Sequence, residues 1–245
     1  AQYGDARGGI INVTTKGPSR SFGAGIELES SKFLDAFGHS RVGLNMQGPL
    51  IKGKSSSQTS LLGYFLSGDF TYREDSRPSA NGVYVAKNDV LDFIEQTPLR
   101  PSGLSAGGTY ANGEFIGYDD VENRDATPNT SRYGINLSGK IDVRTTQNTT
   151  LTFGGQFNYG DGNSYSFRNS MFNYDRNALN MGNTWRVFGR FTQRFPSSSE
   201  SASLIKNVYY SLQVDYSEVR SRSMDPYHED DLFKYGYLGA YTTYK

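Results

Sequence analysis

The residues that could carry chemistry in this chain are few. No cysteine occurs among the 245 residues, which removes thiol catalysis, thiolate metal sites and disulfide scaffolds together. No Gly-x-Ser-x-Gly elbow and no phosphate-binding loop is present, so nucleophilic hydrolysis and nucleotide chemistry have no anchor. Gly23-Ala24-Gly25 lacks a third glycine and precedes a strand pattern rather than a helix. His228-Glu229-Asp230-Asp231 is the nearest approach to a cation site, but a solvated acidic loop is the commoner meaning of such a run. His39 beside Gly38 reads as a turn residue. The expectation is a protein that makes and breaks no bond and holds no metal or cofactor.

The informative side chains are charges and rings set at every second position. From Tyr133, the odd positions are Tyr133, Ile135, Leu137, Gly139, Ile141 and Val143, while the even ones are Arg132, Gly134, Asn136, Ser138, Lys140, Asp142 and Arg144. A period of two with one apolar and one polar face is the signature of a half-buried strand. Leu151 to Tyr159 repeats it after Thr145-Thr146-Gln147-Asn148, a link short enough for a tight hairpin. The same alternation runs from Phe22 to Glu29, Arg41 to Leu50, Leu62 to Tyr72, Trp185 to Phe195 and Val208 to Ser217. These are seven strands, most of about ten residues, where globular strands average about 5–6.

Composition fits strands with one greasy and one wet face. Gly 28, Tyr 18 and Phe 15 accompany a mean hydropathy of −0.61. Lys+Arg 25 balance Asp+Glu 25, so no basic excess exists to hold nucleic acid. No apolar run reaches the length of a membrane-spanning helix, but a barrel strand needs only about 9–11 alternating residues.

Two further features separate a membrane wall from a soluble sandwich. Short links at 52–58, 145–148 and 196–206 alternate with longer ones at 31–40, 73–131, 160–182 and 222–245, as outer-membrane barrels require of their two sides. On the apolar face, Tyr72, Tyr133, Tyr159, Trp185 and Tyr216 all fall at the long-loop end of their strands, a headgroup girdle in which each ring buries its body and wets its polar tip. The opposite face carries Glu27, Glu29, Arg132, Lys140, Asp142, Arg144, Arg186, Arg190 and Arg194, which would line a lumen. Within the longest loop, Asn88 to Gln96 begins with capping residue types, shows helical apolar spacing and stops before Pro98, so one short helix is expected there.

The first sixteen residues carry a resemblance. Tyr3-Gly4, Gly8-Gly9 and Ile11-Asn12-Val13-Thr14-Thr15-Lys16 resemble the close of the plug domain in TonB-dependent outer-membrane receptors, where a strand of this kind feeds into the first barrel strand. Gly48-Pro49-Leu50-Ile51-Lys52 and Asp231 to Gly239 look like segments of the Oar-like or SusC-like group of Bacteroidetes type. Strict matching covers these islands; the strand organisation extends it to the whole chain. The physics agrees locally, since Gly8 and Gly9 permit close backbone approach in a crowded lumen.

The resemblance implies an all-β fold: the end of a plug over residues 1–17, then from residue 20 to 245 the first part of a transmembrane antiparallel barrel. About seven of some 22 strands would be in view, so the chain reads as a piece of a longer protein. It further implies the bacterial cell outer membrane, with its lipid and lipopolysaccharide, as location. Its function would be ligand import energised by TonB through a segment upstream of Ala1, with a surface lipoprotein or larger assembly as a further partner. Two other classes fit the residues. One is an outer-membrane barrel with a structural, adhesion or secretion role that imports nothing. The other is a soluble β-sandwich that binds carbohydrate through its tyrosines.

Overall fold

The computed structural model describes residues 21–52, 60–196 and 208–236. The plug-end residues Tyr3, Gly4, Gly8, Gly9, Asn12, Thr15 and Lys16, and the last three residues of the 231–239 island, lie outside the described residues.

In chain order the strands are β1 (Gly23–Ser30), β2 (Ser40–Ile51) and β3 (Leu62–Arg73), then β4 (Val83–Ala86), β5 (Leu99–Pro101), β6 (Thr109–Ala111) and β7 (Val121–Arg124) inside the longest loop. They continue with β8 (Arg132–Arg144), β9 (Thr149–Asn163), β10 (Leu179–Phe195) and β11 (Val208–Met224). The long strands form one seven-stranded antiparallel sheet in the order β1-β2-β3-β8-β9-β10-β11, every neighbour being the next long strand along the chain. The fold is therefore all-β, and the sheet is an up-and-down meander. All seven alternating segments are strands, and the helix α1 spans Asn88–Gln96 as its spacing predicts. Its N-cap is Lys87, however, without a side-chain cap bond, so Asn88 is already helical rather than capping.

Register gathers the alternating apolar residues on one face. Tyr72 sits opposite Tyr133, Phe70 opposite Ile135, Leu137 opposite Phe157, and Phe191 opposite both Leu151 and Leu212. A one-residue slip along a strand would invert a whole row; the pairing of β2 with β3 shifts only near the end of β2, between Pro49 and Ile51, and leaves Leu50 out of the paired row. The nine charged positions occupy the other face, with Lys140 level with Gly154 and Phe65, and Arg186 level with Gln156. Phe65 and Phe188 also lie on that polar face, flanking Lys140 and Gly154.

Little of the apolar surface is buried. Among the described residues the buried hydrophobic ones are Val85 and Ala86, both in the loop strand β4 and neither in the large sheet. Within β8, Leu137 is 51% exposed and Ile141 43%, while the side chains of Lys140 and Asp142 are 14% and 15% exposed. In this stretch Lys140 and Asp142 are the sheltered members, and Leu137 and Ile141 are the open ones. The two charges are sheltered by pairing: Thr152 Oγ1 donates to Asp142 at 2.5 Å, and Lys140 lies 3.9 Å from the same carboxylate.

The apolar band does not run straight across the sheet. On β8 it begins at Tyr133; on β9 at Tyr159, which faces Ile135; on β10 at Trp185, which faces Phe157; on β11 at Tyr216, which faces Val187. Each strand thus starts its apolar run two positions deeper than the one before. Above the step the same face turns polar, with Asp161, Asn183, Glu218, Arg220 and Arg222. The rings meet along the step: Tyr133 and Tyr159 have centroids 6.0 Å apart, and Trp185 and Tyr216 5.1 Å.

This step corrects one expectation. The five rings do not all mark strand ends, because β9, β10 and β11 continue past them to Asn163, back to Leu179 and on to Met224. Beyond the apolar boundary both faces are mostly polar, with Leu179, Met181, Val219 and Met224 scattered among Asn, Gly, Ser and charged residues, so the alternation that marks a strand disappears while the backbone ladder goes on. The loop between β9 and β10 accordingly shrinks to 164–178.

Candidate functional site

Three of the long connections meet beyond the polar end of the sheet. The loop between β3 and β8 is closed at its base by Asp75, which is 3% exposed. Its carboxylate accepts from the backbone N–H of Arg77 and of Thr127, both at 2.8 Å. Thr130 Oγ1 donates to the Thr127 carbonyl at 2.9 Å beside it. A buried carboxylate that accepts backbone donors at both ends of a 58-residue excursion fixes the loop's root without help from an apolar core.

Farther out, β4 pairs with β7 and β5 with β6. The backbone N–H of Ala86 donates to the Met171 carbonyl at 3.0 Å, which ties this small sheet to the loop between β9 and β10. Asparagines make the remaining joints. Asn129 holds a positive φ of 50°, a conformation Asn tolerates, and its Nδ2 donates to the carbonyls of Tyr174 and Asp175 at 2.9 and 3.2 Å. Asn177, 1% exposed, returns a bond from its Nδ2 to the Asn129 carbonyl at 3.1 Å.

The segment after β11 is latched to the same place. Arg176 pairs with Asp225 at 2.9 Å and lies 4.6 Å from the centroid of Tyr227. Tyr227 donates its hydroxyl to Asp175 at 2.6 Å, and the ring of His228 lies 3.2 Å from Arg176 through Nε2. Burial pushes the Asp225 carboxyl up, but the N–H of Tyr227, the Arg176 guanidinium and the N–H of His228 outweigh it and hold the group below its usual range. The Tyr227 phenol is raised, first by its hydrogen bond to Asp175 and then by that carboxylate's charge. In the second loop joint, Arg124 is raised by its bond to Glu122, with the Tyr174 ring beneath it at 5.6 Å.

The acidic run singled out in the sequence is spent within this latch. Asp230 pairs with Arg222 and Asp231 with Lys234 at 3.6 Å. His39 likewise is more than a turn residue, since its Nε2 lies 3.5 Å from Glu29. On the polar face, Glu27 pairs with Arg41 at 3.3 Å, Arg186 with Asp215 at 3.2 Å, and Arg190 Nε donates to Gln213 at 2.8 Å. Arg132, Arg144 and Arg194 stand on that face in β8 and β10. The tyrosines and glycines of residues 103–118 are dispersed: Tyr110 packs on Phe115 at 6.0 Å, while Tyr118 joins Tyr84 at 6.3 Å.

That second pair borders a cleft of about 540 Å³ lined by Tyr84, Ile116, Gly117, Tyr118, Val121 and Met171. It opens on the loop surface between the two joined loops. Sequence reading did not find it, because its members come from β4, β7 and two loops with no shared period. The only signal was the density of tyrosine and glycine from Gly103 to Tyr118, in the loop between β3 and β8. No protein-family model matches the chain, and no curated protein or solved structure is significantly similar to it.

Proposed function

We propose that this chain is part of the wall of an outer-membrane β-barrel of the TonB-dependent receptor kind, and that it serves uptake of a ligand captured on the long-loop surface. The observation that carries the membrane half is the inclined edge of the apolar band. From Tyr72, level with Tyr133, to Tyr216 the edge descends six positions over four strand steps. With about 3.4 Å per residue and about 4.8 Å between strands, that incline is roughly 45°. Strands in an outer-membrane barrel tilt by about 35–45°, and a level membrane surface cuts tilted strands along such a line. The band on β8, from Tyr133 to Val143, then has a height of about 24 Å across the membrane, against the usual 25 Å or so.

The exposure pattern supports the same reading. An apolar sheet face this open in water would be an aggregation surface, whereas hydrocarbon favours it and the paired charges turn inward. β1 and β11 pair on one side only among the described residues; in a bilayer both edges must be closed by further strands. Import rests on the resemblance of Tyr3 to Lys16 to a plug terminus together with the elaborated loop surface, which is where such receptors take their ligand before TonB acts on the plug.

Trp185 is the single tryptophan and lies on the inclined edge. In proteoliposomes of the full-length protein, with any tryptophan outside this chain replaced by phenylalanine, its fluorescence should be quenched strongly by lipids brominated near the headgroup and weakly by lipids brominated near the chain end. Absence of quenching by either lipid, or solubility without detergent, would sink the membrane reading. For import, the full-length protein is expected to bind the periplasmic domain of TonB; failure to bind would leave a barrel wall without an energised role.

A further inference from the structure

We infer that the cleft between Tyr84 and Tyr118 is a binding site for an uncharged ligand that presents a flat aromatic ring. This deepens the proposed function by naming a ligand class, and rests on the reading that the long-loop surface captures ligand.

Size comes first. About 540 Å³ lies within the range of small-molecule sites. Tyr84 and Tyr118 stand with centroids 6.3 Å apart and planes inclined by 50°, a tilted pair in mutual contact that forms one wall of the cleft. A ligand ring laid against that wall from the cleft side would meet a tyrosine edge or face, the arrangements that aromatic quadrupoles favour. Met171 supplies a thioether, a soft partner for an aromatic edge. Tyr118 is 80% exposed, although it belongs to a loop that fully buries Val85 and Ala86 a few residues from the cleft.

Charge decides the class. None of the six lining residues is charged. Of the charged groups near them in sequence, Lys87 Nζ donates to the Asp119 carbonyl at 2.5 Å, Asp120 accepts from the Gly117 N–H at 2.8 Å, and Glu122 is paired with Arg124 at 2.6 Å. An ionised ligand would lose its hydration against a lining that holds no counter-charge. A sugar would fare little better, because hydroxyls on every edge need several polar partners, and the lining side chains offer only two phenol oxygens. An aromatic ring needs neither.

The cleft contains its own reporter. Of this chain's four methionines, Met46, Met171, Met181 and Met224, Met171 alone lines the cleft, so in the full-length protein, labelled with 13C at the methionine methyls and held in nanodiscs, the signal that Met171→Leu removes reports on the cleft. Indole, as a neutral aromatic probe, should shift the Met171 signal saturably. Tyr118→Ala, at a side chain exposed enough not to hold the fold, should weaken that response about tenfold. Glucose and benzoate should leave it unmoved. The inference is overturned if indole shifts all methionine signals in parallel, if Tyr118→Ala responds like the parent, or if glucose moves Met171 and indole does not. Trp185 quenching reads the membrane placement separately, so a saturable Met171 response without quenching keeps the cleft and rejects the barrel, and the converse result rejects the cleft alone.

Discussion

Asp225 and Tyr227 set opposite limits on one latch. The Asp225 carboxyl is held below its usual value, so its contribution is present above the unfolded value of about 3.9 and is lost as pH falls through the lower folded one. The Tyr227 phenol is raised, so its contribution is present below the unfolded value of about 10 and is lost as pH rises through the higher folded one. The contact between the segment after β11 and the loop at Asp175 and Arg176 should therefore hold from about pH 4 to about pH 10. The Met224 methyl, next to Asp225, is the natural reporter: its signal should stay constant across that window and move at both ends. Tyr227→Phe should abolish the alkaline movement and leave the acid one. A variant that still moves at high pH would mean that another group opens the latch. None of this was legible in the sequence, where His228 to Asp231 read as a solvated acidic loop; the partners Asp175 and Arg176 lie about fifty positions upstream with no pattern linking them.

At the scale of elements, legibility followed the apolar alternation and stopped where it stopped. β8 spans the expected Arg132–Arg144 because every second residue is apolar along its whole length. β10 begins at Leu179, six residues before Trp185, because Asn180, Gly182 and Asn183 carry no contrast between faces. The short pairs β4–β7 and β5–β6 were missed for the same reason; three or four residues are too few to show a period. Glycines within the apolar band give a test of the register. A Cβ at Gly155 would stand 2.8 Å from the Arg186 carbonyl, which is backbone in the neighbouring strand, whereas one at Gly139 would meet only the movable tip of Leu66 at 2.8 Å. Gly155→Ala should thus cost about 1–3 kcal/mol and Gly139→Ala less, measured by urea unfolding in liposomes. Equal effects would show that β9 and β10 are not in this register.

At the scale of the whole molecule, the decisive question is what solvent the apolar face meets, and a single charge can ask it. Leu137 lies near the middle of the band on β8, level with Phe157 and four positions from Tyr133, and is 51% exposed. In a soluble sandwich, arginine at so open a position would fall within about 0.5 kcal/mol of neutral and would aid solubility. In a barrel wall the same change places a cation near the bilayer midplane, at a cost of about 2–4 kcal/mol, falling to about 0–1 near the interface. Leu137→Arg should therefore destabilise the refolded protein strongly in liposomes, while Tyr133→Arg, at the edge of the band, should cost little. Depth dependence is what matters here, because a packing defect would not follow the distance from the inclined edge. Two similar small costs would mean that the face meets water; two similar large ones would mean that it packs against protein. A steep difference would leave hydrocarbon as the environment that Leu137 and Ile141, open beside the sheltered Lys140 and Asp142, already fit.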